Sequence, residues 1–378
     1  MRGPTTAAEA GGGAGAPSAT GAAAREAGHA VVPCRACLSG EDLDWLGGRS
    51  VSLALDLTTS VTVRPPGARP SAGAAPDSGG GGTWADQVWA FLRRRLSGLG
   101  PRPPAVTVRS AAPSASGLSS STALIVALFR AFAEAAAQTA GGAGASPVSA
   151  RTLAQWAYEF EFAVFNGGGM DHLAVIAGGL LLLDGRTTGL PDIRGRVDFP
   201  DDWAVVVLDS GTRKDTSDHI RAVRARLAAG DARLVAYQER CDAASVTVWE
   251  AVHRRDLAGV GAAMSEAHTA MRDLQGMSTP LLEELRSLAL RSAGLPLKLS
   301  GAGGGGALVG ICPAADQAEV VALLRRALGP AHPGARVIPA RAAAGLAPEL
   351  AATPAPEGPV SASGPRGTGR NPSPAPVR

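Results

Sequence analysis

The chain has 378 residues and a formal net charge of +3 at pH 7, with no run of like charges, so about two domains and no nucleic-acid partner are expected. Four scattered cysteines exclude a disulfide framework. The chain shows no apolar run of about 18 residues and no basic start followed by an apolar core, which predicts a cytoplasmic protein without a membrane span.

Composition separates the two ends and two inner stretches from the rest of the chain. Residues 1–28 consist largely of Ala, Gly, Ser and Thr, and residues 352–378 are rich in Pro, Ser and Gly, so the ends 1–28 and 348–378 are predicted to be disordered tails. The stretches 65–82 and 139–147 have the composition of exposed loops inside the folded part.

Between the tails, short β-like runs alternate with helical patterns, which is an α+β organisation. Strands are predicted over residues 51–57, 105–109, 180–184, 204–208 and 307–311. Helices are predicted over residues 120–138, 150–165, 216–228, 232–254, 279–292 and 314–328. A break with Pro and Gly over residues 190–202 predicts the domain boundary, which gives domains at 29–198 and 199–347.

Residues 113–122, Pro-Ser-Ala-Ser-Gly-Leu-Ser-Ser-Ser-Thr, follow a predicted strand and run directly into a long apolar helix. Small residues let the backbone approach a ligand closely, and the free amides and positive dipole of a helix N-terminus suit phosphate oxygens. The segment lacks the lysine of a Walker loop, and a Ser-rich cap on a core helix is the alternative. The residues predicted to bind a nucleotide are Pro113, Ser116, Gly117, Leu118, Ser119, Ser120, Ser121 and Thr122.

A second glycine run covers residues 298–306 and begins at Lys298, one of only two lysines in the chain. It contains a GxGxxG match, but a β-like segment follows it rather than a helix, which argues against a dinucleotide fold. We expect Gly303 and Gly304 to lie close to substrate or to other backbone. A flexible turn is the alternative.

Residues 33–48 place four charged side chains at the end of an apolar strand and finish in two glycines. Such a density of charge at a strand end is costly unless it serves binding. Arg35 can neutralise charge on a transferring phosphoryl group, and Glu41 and Asp44 can accept hydrogen bonds from hydroxyls. A solvated loop with a local ion pair is the alternative.

Residues 166–172, Asn-Gly-Gly-Gly-Met-Asp-His, place an acid and a histidine after three glycines. Asp171 is a candidate for taking or orienting a hydroxyl proton, and Glu161 with Ser121 could hold Mg²⁺. His172 as the base, or Asp171 as a plain helix N-cap, are the alternatives.

Taken in their order along the chain, these four segments resemble those of the GHMP kinase family, which includes galactokinase, homoserine kinase, mevalonate kinase and phosphomevalonate kinase. The resemblance covers roughly residues 30–345. It implies a two-domain α+β fold, in which a domain similar to ribosomal protein S5 domain 2 precedes a ferredoxin-like domain. ATP, with Mg²⁺, would lie in the cleft between the two domains.

The resemblance also implies roles for individual residues. Residues 33–48 are similar to the galactokinase signature, with Asp42 where a histidine is usual, and Gly169 to His172 resemble the motif that carries the catalytic base. Asp171 is therefore the expected base, Arg35 the second catalytic residue, and Ser121 with Glu161 the Mg²⁺ ligands. The substrate-binding residues implied in this way are Glu41, Asp42, Asp44, Gly169, His172, Gly303 and Gly304.

The pattern of Gly40-Glu41, Asp44 and Met170-Asp171 favours a sugar kinase that phosphorylates the anomeric hydroxyl. Arg213 and Lys214 follow a predicted strand and could bind a phosphate already carried by a heptose or octose, a solvated loop being the alternative. A mevalonate-type isoprenoid kinase, favoured by residues 277–280, and a catalytically idle sugar- or nucleotide-binding homologue are the competing hypotheses. We expect a monomer or homodimer, with a role in specialised metabolite biosynthesis as one possibility.

Overall fold

The computed structural model describes residues 28–64, 81–96, 99–139, 148–213 and 216–351. The predicted tails therefore lie outside the described residues except at their inner ends. Residue Gly28 already begins the first strand, and Pro348–Ala351 forms a short 3-10 helix in which Leu350 is buried. Because Leu350 packs into the core, the folded part extends past the predicted domain end at residue 347.

Five antiparallel strands of the described chain form the N-terminal sheet. They are β1 (Gly28–Ser39), β2 (Arg49–Val63), β3 (Val106–Ser110), β4 (Leu180–Asp184) and β5 (Asp192–Val197). The order is β1-β2-β4-β5, and β3 pairs with the far end of β2. The break predicted over residues 190–202 therefore contains a strand, and the N-terminal sheet continues to Val197.

Helices cover one face of this sheet and build the N-terminal core. They are α2 (Gly81–Arg93), α3 (Ser120–Thr139), α4 (Ala150–Phe165) and α5 (Met170–Ala177), whereas the short helix α1 (Leu43–Leu46) packs into the core of the C-terminal half. Because α2 begins at Gly81, the loop predicted over residues 65–82 ends earlier than expected. Among the described helices, α3 alone has the length and apolar composition to cross a bilayer, and 61% of its apolar window is buried inside the protein.

The C-terminal half is a four-stranded antiparallel sheet covered by long helices. Its elements are β6 (Trp203–Asp209), α6 (Thr216–Ala228), α7 (Ala232–His253), α8 (Leu257–Gln275), α9 (Pro280–Ala293), β7 (Lys298–Leu299), β8 (Ala307–Pro313), α10 (Gln317–Leu328) and β9 (Arg336–Ala340). The strand order β7-β8-β6-β9 is that of a ferredoxin-like sheet, as predicted. Side chains of Asp231, Asp256 and Thr279 cap three of these helices at their N-termini.

The two halves share a long interface. Helix α7 packs on β1 and β2, and the Ser245 hydroxyl donates to the carbonyl of Arg49 at 2.9 Å. After β9 the chain returns to the N-terminal sheet, where Ala342 bridges to Leu55 and Ala344 bridges to Gly178. The C-terminal segment therefore ties the second half to the first.

All predicted strands and helices are present, and the predicted α+β class is confirmed. The sequence patterns did not reveal α2, α8 or β9 as separate elements, and they showed the apolar stretch 173–183 as one run. In the structure, Gly178 and Gly179, both with φ of 66°, end α5 and turn the chain into β4.

Candidate active site

A cavity of about 410 Å³ lies between the two halves. Its walls are the turn before α1, residues 115–122, the α4–α5 connection, α6 and residues 300–306. The sequence-predicted residues that line it are Arg35, Glu41, Asp42, Asp44, Ser116, Gly117, Ser119, Ser120, Ser121, Thr122, Glu161, Asp171, His172 and Gly303. All four sequence motifs therefore meet at one cavity.

The remaining predicted residues lie elsewhere. Pro113 and Leu118 are buried behind the loop, and Gly169 sits at the N-cap of α5. Gly304 contacts Met277 through its amide, and Arg213 is exposed and is absent from the cavity walls. Lys214 lies outside the described residues.

The loop before α3 has a backbone suited to anions. Ala115, Gly117 and Ser119 have positive φ values of 53°, 77° and 58°. Residues in right- and left-handed conformations that alternate along the chain direct their amides into an anion-binding concavity. A Cβ on Gly117 would lie 2.2 Å from the carbonyl oxygen of Ser300, so only glycine fits there. The hydroxyl of Ser119 is buried without a protein partner, which leaves it available to a ligand oxygen.

Arg35 and Asp171 form the central ion pair of the cavity. Nε of Arg35 donates to Oδ1 of Asp171 at 2.7 Å, and Nη2 lies 2.6 Å from the same oxygen. Nη1 donates to the carbonyl of Gly117 at 2.7 Å. This hydrogen bond joins the pair to residues 113–122, here called the phosphate-type loop. Burial lowers the pKa of Arg35, but Asp171, Cys37 and Glu41 together outweigh burial and raise the pKa overall, so the guanidinium stays charged.

Asp44 lies beside this pair and orders the α4–α5 connection. Its Oδ2 accepts a hydrogen bond from the amide of Met170 at 2.9 Å. Burial raises the pKa of Asp44 to about 7, and the nearby carboxylates of Asp171 and Asp42 add to this effect. A Cβ on Gly168 would lie 1.9 Å from Oδ2 of Asp44, so the second of the three glycines makes room for this carboxylate.

Glu161 connects the phosphate-type loop to α5. Its Oε1 accepts a hydrogen bond from the hydroxyl of Thr122 at 3.0 Å. Its Oε2 lies 2.6 Å from Nε2 of His172, without hydrogen-bond geometry, so this contact is electrostatic. Burial lowers the pKa of His172, but the carboxylates of Glu161, Asp171 and Asp44 together outweigh burial and raise the pKa overall, which favours an imidazolium beside Glu161. Among the described residues, no group of three or more His, Cys, Asp or Glu side chains is placed to hold a metal ion by itself.

Glu41 takes part in an ion pair that sequence reasoning did not foresee. Its Oε1 contacts Nζ of Lys298, and both side chains are buried, with 3% and 0% exposure. Lys298 also donates to the carbonyls of Cys37 at 3.2 Å and Leu299 at 2.7 Å. Lys298 therefore engages one oxygen of the Glu41 carboxylate predicted to bind substrate, whereas Oε2 has no protein partner and the residue lines the cavity.

Asp42 is held in a left-handed conformation, with φ of 66°, at the start of α1. Its Oδ2 lies 2.7 Å from Nε2 of His219, and both side chains are buried at the cavity. His219 was not predicted, because nothing in α6 taken alone distinguishes it from an ordinary core or surface histidine.

Two family models match the chain, that for the GHMP kinases N terminal domain over residues 85–179 and that for the GHMP kinases C terminal domain over residues 249–329. No curated protein sequence matches it significantly.

Solved structures of low sequence identity share the fold. L. major mevalonate kinase in complex with R-mevalonate has a TM-score of 0.65 and 18% identity, covering 84% of this chain and 96% of that one. Lactococcus lactis galactokinase complexed with galactose has a TM-score of 0.65 and 16% identity, covering 84% and 94%. Streptococcus pneumoniae phosphomevalonate kinase, with phosphomevalonate and AMPPNP, has a TM-score of 0.63 and 14% identity, covering 83% and 99%.

Proposed function

We propose that this chain, which belongs to the GHMP kinase family, transfers the γ-phosphoryl group of ATP to a hydroxyl of a neutral sugar. The observation that carries the proposal is the Arg35–Asp171 pair. It lies between the phosphate-type loop, which Arg35 contacts at Gly117, and the carboxylates of Asp42 and Asp44. The phosphate-type loop forms the donor end of the cavity, and Asp42 with Asp44 forms the acceptor end. The candidate base Asp171 lies between the two ends.

The donor end has the features that a nucleoside triphosphate requires. The phosphates would be held by the side-chain-free backbone at Gly117, the unpartnered hydroxyl of Ser119 and the N-terminus of α3. Ser121 and Glu161 offer hard oxygen ligands, and Mg²⁺ commonly takes one or two protein ligands and completes its shell with phosphates and water. When bound, Mg·ATP supplies the phosphoryl group and charge neutralisation.

Asp171 would accept or orient the proton of the acceptor hydroxyl. Arg35 contacts one oxygen of this carboxylate through both Nε and Nη2, which fixes its direction and leaves the other oxygen for the acceptor. The buried guanidinium also places a fixed positive charge next to the position where negative charge develops during transfer. These contacts make an idle binding protein the weaker reading.

The charges at the acceptor end favour a neutral polyhydroxylated molecule. Every Arg and His among the described lining residues faces a carboxylate: Arg35 faces Asp171, His172 faces Glu161, and His219 faces Asp42. A carboxylate- or phosphate-bearing acceptor would meet carboxylates here without a free cation to offset them. Hydroxyl groups, in contrast, can donate to these oxygens, and the anomeric hydroxyl implied by the family resemblance is the proposed acceptor.

A mevalonate-type kinase is the second candidate, and one contact supports it. The amide of Gly304 donates to the carbonyl of Met277 at 2.7 Å, so the segment 277–280 does hold the second glycine run in place. The acidic acceptor end argues against this candidate. A phosphorylated sugar gains no support from Arg213, which does not line the cavity.

A substrate panel tests the proposal. Purified protein with Mg²⁺ and ATP is offered galactose, fucose, arabinose, heptose 7-phosphate, octose 8-phosphate and mevalonate, and phosphorus NMR assigns the product. We expect a neutral sugar to be converted to its 1-phosphate. Turnover of mevalonate alone would move the chain to the isoprenoid kinases, and turnover of the sugar phosphates alone would overturn the neutral acceptor. Absence of turnover throughout the panel would reject the proposal in favour of a binding protein.

A further inference from the structure

Part of the cavity wall lies outside the four sequence motifs and is formed by α6, a helix of the C-terminal half. His219 on this helix contacts Asp42. Five residues further on, Nη2 of Arg224 donates to the carbonyl of Asn166 at 2.6 Å, and its guanidinium lies 4.7 Å from the ring centroid of Trp45. Helix α6 is therefore fastened to both N-terminal segments that border the acceptor end.

His219 is placed at the cavity rather than in the core behind it. It lines the cavity together with Asp42, Asp44 and Asp171, and the neighbouring Ile220 lines it as well. Asp44 is close enough to both Asp42 and Asp171 for their charges to act on it. The Asp42–His219 pair therefore belongs to the same cluster of polar groups as the candidate base, at the side contributed by α6.

The chemistry of the pair suits a hydroxyl group. A carboxylate offers about four lone-pair sites, and the ring nitrogen of His219 occupies one of them. The carboxylate also fixes the orientation of the imidazole, as in other carboxylate–histidine pairs. Asp42 holds this position with a left-handed backbone, a conformation that costs energy for a residue other than glycine and is concentrated at functional sites.

We infer that His219, oriented by Asp42, recognises a hydroxyl of the acceptor other than the one that is phosphorylated. This inference rests on the proposed function, since it presupposes a polyhydroxylated acceptor. It assigns acceptor specificity in part to α6, outside the sequence motifs of the family. Asp42 acts as the positioning residue and His219 as the specificity-determining residue.

The test combines enzyme variants with substrate analogues. The panel sugar that the wild type converts fastest is compared with its single-deoxy analogues, which for D-galactose include 2-deoxy-D-galactose and D-fucose. We expect the wild type to discriminate against one analogue by about 10- to 100-fold in kcat/KM, and His219→Ala to abolish the discrimination against that analogue alone. The KM for ATP should not change. His219→Gln, which keeps a side-chain donor towards Asp42, should restore part of the discrimination.

Arg221→Ala is the matched control, because Arg221 lies on the same helix with 74% of its side chain exposed. It should leave every substrate unchanged. An equal loss for all analogues in His219→Ala, with a lowered melting temperature, would reduce the pair to a structural latch and overturn the inference while the proposed function stands. If the wild type converts no sugar of the panel, the proposed function and this inference fail together.

Discussion

At the scale of single residues, Asp171 differs from the other carboxylates of the cavity in its contact with Arg35 and in its accessibility. Its side chain is 29% exposed, whereas that of Arg35 is 5% exposed. We expect Asp171→Asn to lower kcat by about 10²- to 10⁴-fold, the usual contribution of a positioned base, while ATP affinity stays near the wild-type value. Steady-state kinetics and calorimetric titration with ATP measure the two effects.

Asp218→Asn is a suitable control for this substitution, because Asp218 is an exposed acid at the first turn of α6. Its kinetic constants should remain those of the wild type. A parallel loss of ATP affinity and kcat in Asp171→Asn would show that Asp171 serves nucleotide binding rather than proton transfer.

Asp44 gives a prediction about pH and stability. Its pKa rises from the ordinary value of 3.8 to about 7 on folding, so the folded protein binds this proton more tightly than the unfolded chain does. The resulting stabilisation is full below about pH 4 and is lost as the pH rises through about 7. Asp44→Asn keeps an acceptor for the amide of Met170 but removes the titration. Its melting temperature relative to the wild type should therefore increase between pH 5 and pH 8, and parallel pH profiles of the two proteins would contradict the prediction.

At the scale of elements, the connection from α4 to α5 depends on a close approach at Gly168. The Cβ of an alanine there would clash with Asp44, whose carboxylate holds the N-terminus of α5 through Met170. Gly168→Ala should shift α5 and with it Asp171, lowering kcat/KM by about 10²-fold or more at a stability cost of about 1–3 kcal/mol. Gly334→Ala, at a position with open space around it, should change neither activity nor melting temperature. Wild-type kinetics in Gly168→Ala would show that α5 tolerates the shift.

At the scale of the whole molecule, the buried Lys298–Glu41 pair joins the C-terminal sheet to the turn that follows β1. Removing one partner leaves a buried charge without compensation, so Lys298→Met should destabilise the protein by about 3–5 kcal/mol. The double variant Lys298→Met with Glu41→Gln should recover part of this loss, since neither buried charge then remains. Denaturant unfolding of the four proteins in the cycle measures the coupling.

A surface pair provides the comparison for this cycle. Arg254 and Glu250 lie on one helix end with 58% and 56% exposure, and Arg254→Ala should cost less than about 0.5 kcal/mol. A double variant as unstable as the sum of its single variants would indicate that Lys298 and Glu41 do not act as a pair.

The sequence by itself determined the local elements and the chemistry of the motifs. Helices α3, α4, α6 and α7 were predicted with ends within one residue of those in the structure, because helix formation depends on neighbours a few positions apart. The phosphate-type loop was recognisable for the same reason, since its small residues and the helix that follows are contiguous. Helix α8 was not predicted, since Gly259 and Gly261 near its start are poor helix formers.

Only the tertiary structure decided which side chains meet. Arg35 reaches Asp171 across 136 positions, His219 reaches Asp42 across 177, and Lys298 reaches Glu41 across 257. Such contacts follow from how the two sheets and α6 pack together, which no local pattern of hydrophobicity or propensity specifies. The same packing engages one oxygen of Glu41, an expected substrate ligand, in a buried ion pair with the Lys298 ammonium.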